Sequence, residues 1–243
     1  MLAALAIFAV TYFFVVTEKI DRTVAALLGA AAVIFLRAIP YDIALGHVDL
    51  NVVFLLVGMM IIVNVLSETG LFEWVAVSIA QRARGDGLLI LLGLTTATAL
   101  LSAFLDNVTT VVLMVPITIL ITQILEIPAV PFLIFEAVSS NIGGTATLIG
   151  DPPNILIGSQ SHLNFNQFLG NLGPVALLVL VPLLVVLAIV FRPKLHVPAQ
   201  TRKRIMKANP RRAITDPHRL RRALPVFAFT IICFCFSHMV HIE

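Results

Sequence analysis

Of 243 residues, 59% are hydrophobic and only 12% charged, and the mean hydropathy is +1.03. Soluble domains carry about 25% charged residues, so the composition excludes an ordinary soluble domain and predicts an all-α polytopic membrane protein. The formal charge of +3 and pI of 9.2 do not point to nucleic acid, because 11 of the 16 Lys and Arg fall in one segment, residues 192–222, beside a single acid, Asp216.

The first predicted span is 2–16, followed by a loop marked by Lys19, Asp21 and Arg22. A signal peptide is rejected there, since no basic n-region precedes the apolar run. A second span covers 23–39, with Arg37 near its end, and a third covers 51–67 after the loop 40–50. Residues 71–84 mix apolar and charged positions at helical spacing, which predicts an amphipathic helix at the membrane surface or a short connector. Residues 173–191 form a clear span, and another begins at 223. Cys233 and Cys235 lie in that last apolar run and read as packing residues.

Two polar breaks interrupt this pattern. The first, Asp106-Asn107, separates apolar arms 87–105 and 109–125. Thr95, Thr98, Ser102 and Asp106 fall on one helical face, and Thr110, Met114, Thr118 and Thr122 on another. The converging stripes favour an internal re-entrant hairpin, 87–125. Two full spans, with hydroxyls bonding back to their own helices, are the alternative. The second break lies in 129–160: Gly143-Gly144 ends a half-helix carrying Glu136, and Gly150-Asp-Pro-Pro-Asn154 opposes its continuation. A second half-helix is predicted from about residue 155. Broken backbone at membrane depth is tolerated only where protein buries it or water reaches it, so the two breaks together predict a solute or ion site.

Basic loops remain cytoplasmic. That places 192–222 inside and the N-terminus outside, with Lys19, Arg22, Arg82 and Arg84 inside, in the inner membrane of a prokaryotic cell. No His-Glu-x-x-His, Gly-x-Ser-x-Gly or P-loop pattern is present, and His47, His162, His196, His218, His238 and His241 show no ligand spacing. An enzyme is therefore not predicted. No ATP-binding segment exists, so primary pumping would need a separate ATPase as partner.

Leu105-Asp-Asn-Val-Thr-Thr-Val-Val-Leu-Met-Val-Pro116 and Ser140-Asn-Ile-Gly-Gly-Thr-Ala-Thr-Leu-Ile-Gly-Asp-Pro-Pro-Asn-Ile-Leu-Ile-Gly158 resemble the ion transporter superfamily. The resemblance is nearest to arsenite-pump and sodium–proton-antiporter type permeases and to the P protein, and more distant to sodium–dicarboxylate symporters. Asp21 to Ala30, Gly58 to Val63 and Glu68 to Glu73 also look like this group. The resemblance implies inverted repeats, each with a re-entrant hairpin and an unwound helix. Only one repeat is present, with the first span of a second, so the chain reads as an N-terminal half: either a fragment, or a half-transporter that pairs with a second half-chain or as a homodimer. In the symporters the hairpin tip reads Ser-Asn-Thr; Asp106 stands in place of that Ser and favours a cation or proton.

The expected function is secondary transport of inorganic ions or small anions coupled to proton or sodium; a truncated, non-transporting membrane protein is the alternative. The candidate ion or substrate ligands are Asp106, Asn107, Thr109 and Thr110 from the first break, and Asn141, Gly143, Gly144, Thr145, Thr147, Asp151 and Asn154 from the second. Asp106, Asn107 and the Gly144 carbonyl are the candidate sodium ligands. Asp106, Glu136 and Asp151 are the candidate proton carriers. No other cofactor is expected, and the expected surroundings are the lipid bilayer, with no nucleic acid.

Overall fold

The structure is a computed structural model that describes residues 2–46 and 48–240. His47 and His241 lie outside the described residues. Among the described residues all regular structure is helical. The chain divides into two packed units, Met1–Phe54 and Leu55–Glu243.

In the first unit, α1 (Leu2–Thr17) packs on α2 (Arg22–Phe35), and a short α3 (Tyr41–Gly46) follows. Asp21 starts α2 by accepting the amides of Thr23 at 2.9 Å and Val24 at 3.3 Å, a standard use of a short acidic side chain for orphan helix donors. The close approach of the two helices requires Gly29, since a Cβ there would overlap the Thr11 side chain. α2 ends at Phe35, short of Arg37, which takes a left-handed φ of 50°.

The second unit carries α4 (Leu50–Ser67) beyond Phe54, then α5 (Leu71–Arg82), α6 (Gly87–Ser102), α7 (Asn107–Leu125), α8 (Val130–Gly144), α9 (Pro152–Gln160), α10 (Phe165–Phe191), α11 (Ala199–Lys207), a 3-10 turn Pro210–Ala213 and α12 (Pro217–Val240). Among the described residues α4, α7 and α10 are long and apolar enough to cross a membrane. α10 is continuous through Pro174 and Pro182 and rises about 40 Å at 1.5 Å per residue. Its start is fixed by a reciprocal cap: the Asn164 side chain accepts the Gln167 amide at 2.8 Å, and the Gln167 side chain accepts the Asn164 amide at 3.1 Å.

The second unit is apolar outside, and its hydroxyls are turned into an otherwise apolar interior. Thr95, Thr98, Thr110, Thr118 and Thr122 are fully buried, while Leu100, Val108, Val112 and Leu120 on the same helices are more than half exposed. Water would impose the opposite pattern. Lipid imposes this one, because hydroxyls have no partner in hydrocarbon and turn inward; Thr110 and Thr122 bond back to carbonyls of their own helix turn and Thr118 bonds Glu136. α8 packs most closely on α6 and next on α7, so both threonine stripes close against α8 and its buried face Glu136, Ser139, Ser140 and Gly143.

Both outer ends of the α6–α7 pair meet one short basic helix. Arg202 lies 3.5 Å from Asp86, the N-cap of α6, and Arg204 lies 3.1 Å from Glu126, the C-cap of α7. Exposed ion pairs contribute little by themselves. The firmer tie is Ile205, 1% exposed in the core with Leu91, Ile121 and Leu125. Nearby, Gly70 adopts φ 78° under the Ala213 carbonyl, and the Thr215 amide donates to the Thr69 carbonyl at 2.9 Å. α5 is packed by α6, α7, α11 and the 3-10 turn, and of its residues only Arg82 at the end is exposed, Trp74 being half-buried.

The tightest helix crossing is at Gly143, where an added Cβ would overlap the backbone of Ala99. Gly143→Ala is expected to destabilise the protein by about 1–3 kcal/mol through overpacking. Gly58→Ala, with open space around it, should be near neutral. Thermal unfolding in detergent compares the two, and equal midpoints would refute the packing role of Gly143.

Candidate functional site

Between α6 and α7 the chain turns through residues 103–106, and Asp106 closes the turn. Its carboxylate accepts the amides of Val108 at 2.9 Å and Thr109 at 3.1 Å, and also the Thr109 hydroxyl. Asp106 therefore caps α7, and a short acidic residue before an apolar helix is the sequence type that does so. The Thr110 hydroxyl donates back to the Asp106 carbonyl at 2.9 Å.

The second break runs from the end of α8 at Gly144 to Pro152. It is held by side chains: Asn154 donates to the carbonyls of Gly144 and Thr147, both at 2.9 Å. The Thr147 hydroxyl accepts the amides of Ile149 and Gly150 at 3.2 Å and donates to the Ala103 carbonyl in the first break. The sequence reading starts α9 near 155, but the helix begins at Pro152. Proline is favoured at the first helical position, where its missing N–H is not needed.

The two breaks meet. Asn107 donates to the Asn141 side chain at 2.9 Å and toward Asp151 at 3.5 Å. Ser102, fully buried, donates to the Ser140 carbonyl at 2.7 Å. Gly150 is pressed so close that a Cβ on it would lie 2.6 Å from the carbonyl oxygens of both Gly144 and Ser102. The C-terminal ends of α6 and α8 and the N-terminal ends of α7 and α9 thus converge on one place. Among the described residues no Lys, Arg or His side chain bonds to this cluster; its charges are Asp106 and Asp151. Carboxylates and convergent carbonyls are hard oxygen donors of the kind that hold small cations.

Beside Asp106 and Thr109 lies a cavity of ≈ 20 Å³, walled by Met59, Met60, Val63, Ile149 and Ile155. A water needs about 10–15 Å³ by this measure, so the space accepts one water or a small ion and excludes an organic acid in this conformation.

The predicted residues separate into groups. Asn107 bonds Asn141 and Asp151, Asn154 and Thr147 tie the loop at Gly144 and reach the Ala103 carbonyl, and Asp106 bonds Thr109 and Thr110 at the start of α7. Thr145 is exposed and bonds back to the Ile142 carbonyl at 2.8 Å. Gly143 serves the α6–α8 crossing. Glu136 lies farther along α8, fully buried, with its Oε1 accepting the Thr118 hydroxyl at 2.6 Å. The sequence reading did not include Ser102, the Ala103 carbonyl or the cavity wall of α4 among the site residues. Ser102 lay on a recognised polar stripe; a backbone carbonyl and an apolar wall carry no residue-type signal.

Residues 12–243 match the CitMHS family, described as citrate transporter. The 46 kDa membrane protein of Mycobacterium leprae is 43% identical over 242 residues, covering 98% of this chain and 56% of that protein. An uncharacterized transporter of Mycobacterium tuberculosis H37Rv is 42% identical over 244 residues, covering 99% of this chain and 57% of the relative. The P protein of Mus musculus is 44% identical over 166 residues, 66% of this chain and 20% of its own length. The chain therefore spans little more than half the length of the mycobacterial relatives it matches. Together with its lipid-adapted helices, these matches identify an integral membrane protein of a transporter family, not an enzyme. The chain belongs to the CitMHS family of citrate transporters.

Proposed function

We propose that this chain forms half of the ion-coupled core of a secondary transporter for inorganic ions or small anions, of the arsenite-permease or sodium–proton-antiporter type. The observation that carries the reading is the Asn107 bridge, which joins the α6–α7 tip to the broken α8–α9 element at Asn141 and Asp151. Paired broken segments with half-helix ends aimed at a common site are a recurrent transporter device. The α6–α7 pair is a re-entrant hairpin: its two ends lie together on the basic helix α11 while its tip meets the unwound loop. In this reading residues 1–191 belong to one inverted repeat, 192–222 form a basic cytoplasmic loop, and α12 opens the next repeat.

The coupling ion is sodium or a proton. Sodium would take Asp106, Asn107 and the Gly144 carbonyl; Asp151 and Asn154 brace the loop. An anionic substrate, whether arsenite, chloride or a small carboxylate such as the citrate of the family description, finds no cationic side chain in the described network. It therefore depends on the bound cation or on residues of a complementary half. That half comes from the remaining length seen in the relatives, from a second half-chain or from a homodimer; a separate ATPase is the partner in any primary pumping mode. A chain that does not transport without its complement is the second reading, favoured by its coverage of 56–57% of the mycobacterial relatives.

Two measurements test this. Asp106→Asn keeps a good helix cap but removes the charge; about 1.5–3 kcal/mol for a charged hydrogen-bond partner corresponds to about 10–100-fold weaker ion coupling. Ion-driven uptake into membrane vesicles from cells making the protein should fall by that factor while membrane insertion is unchanged, and wild-type flux in the variant would sink the ion role. For sidedness, trypsin should cut within 192–222 in inside-out vesicles and spare it in intact spheroplasts. Cleavage from the outside would invert the topology.

A further inference from the structure

Glu136 stands apart from the network at the breaks. It lies seven positions before Gly143 on α8, roughly 10 Å of helix rise from that crossing, on the side where α8 starts. It is completely buried. One carboxyl oxygen accepts the Thr118 hydroxyl at 2.6 Å, and the other, Oε2, has no hydrogen-bond partner among the described residues. The hydroxyls of Thr95 and Thr98 on α6 are also buried and unpartnered. Those threonines share a helical face with Ala99 and Ser102, which touch Gly143 and Ser140 of α8. Both α6 and α8 run from the α11 end toward the breaks, so Thr95 and Thr98 lie on the α8-facing side at the turns preceding that crossing.

The surroundings offer no counter-charge. The helices packed on α8 are α6, α7 and α10, and not one residue of Gly87–Ser102, Asn107–Leu125 or Phe165–Phe191 is Asp, Glu, Lys, Arg or His. The nearest acids along the chain are Glu126, paired with Arg204, and Asp151, in the loop beyond Gly144 where the Asn107 amide approaches it. An ionised carboxylate without a counter-charge in a dry interior is too costly to keep. A neutral carboxylic acid is not: it carries no charge, and it still accepts the Thr118 hydroxyl. A proton also requires no cavity.

We propose that Glu136 is a proton-binding site separate from the tip–loop site, formed by its buried carboxyl with the Thr118 hydroxyl. The exchange is Glu136 carboxylate plus one proton giving the acid, with no other bond made or broken. Use of that proton in coupled movement rests on the transport reading above; its binding does not.

The test is a pH titration of the membrane-reconstituted protein by infrared difference spectroscopy, reading the carboxylic-acid C=O band. The wild type should show an acid band in the neutral range that disappears in Glu136→Gln and persists in Asp106→Asn and Asp151→Asn. Glu136→Asp should keep a band at a shifted position, and Thr118→Val should move the band without removing it. No neutral-range acid band in the wild type, or a band lost in Asp106→Asn or Asp151→Asn and kept in Glu136→Gln, would overturn the assignment. A band that behaves as expected in a protein without flux would leave the proton site standing and remove only its role in transport.

Discussion

Unwound backbone between Gly144 and Pro152 has to find hydrogen-bond partners in a solvent that supplies none. Much of the second unit follows from that requirement. The Asn154 amide satisfies two loop carbonyls at once. The Thr147 hydroxyl serves two loop amides and reaches across to the α6–α7 turn. The turn is then fixed to the loop, and the four helix ends around it have a common geometry. Glycines at 143, 144 and 150 let the backbones come close enough for these short side chains to reach.

The same economy explains the dual nature of Asp106. As a helix cap it holds the first amides of α7, a task a serine also performs. What the carboxylate adds is charge at a place where carbonyls already point and no basic side chain is bonded. In the proposed reading stability and ion recognition are superposed on one residue, and only a substitution that preserves the cap separates them. Glu136 is the contrasting case: it caps nothing, bonds one hydroxyl, and has no charged neighbour on the helices around it.

Much of this was legible in the sequence, for identifiable reasons. Spans are a matter of bulk hydropathy, so α4 and the apolar arms of α6 and α7 stand out. The threonine stripes were visible as periodicity, and their burial follows from lipid as solvent. The errors are local. Pro152-Pro153 reads as a barrier although prolines begin helices readily. Gly173-Pro174 reads as the edge of a span although α10 runs through it, because neighbouring helices and local adjustment absorb a missing amide in membrane helices. α11 was hidden because its sequence, Ala-Gln-Thr-Arg-Lys-Arg-Ile-Met-Lys, is dominated by charge, and only Thr201 and Ile205 face inward. What could not be read was contact across distance: no pattern within 87–125 reveals that its ends will be met by Arg202 and Arg204.

That last contact has a consequence for how the protein is made. Asp86 and Arg202 are 116 residues apart, and Glu126 and Arg204 are 78 apart. Chains emerge from the ribosome at about 5–20 residues per second, so the α6–α7 pair waits on the order of 4–20 s before its basic strap exists. During that interval its buried hydroxyls are covered by α5, α8 and α10 and by the insertion machinery. Until then the pair is held by its packing on α5, α8 and α10 alone.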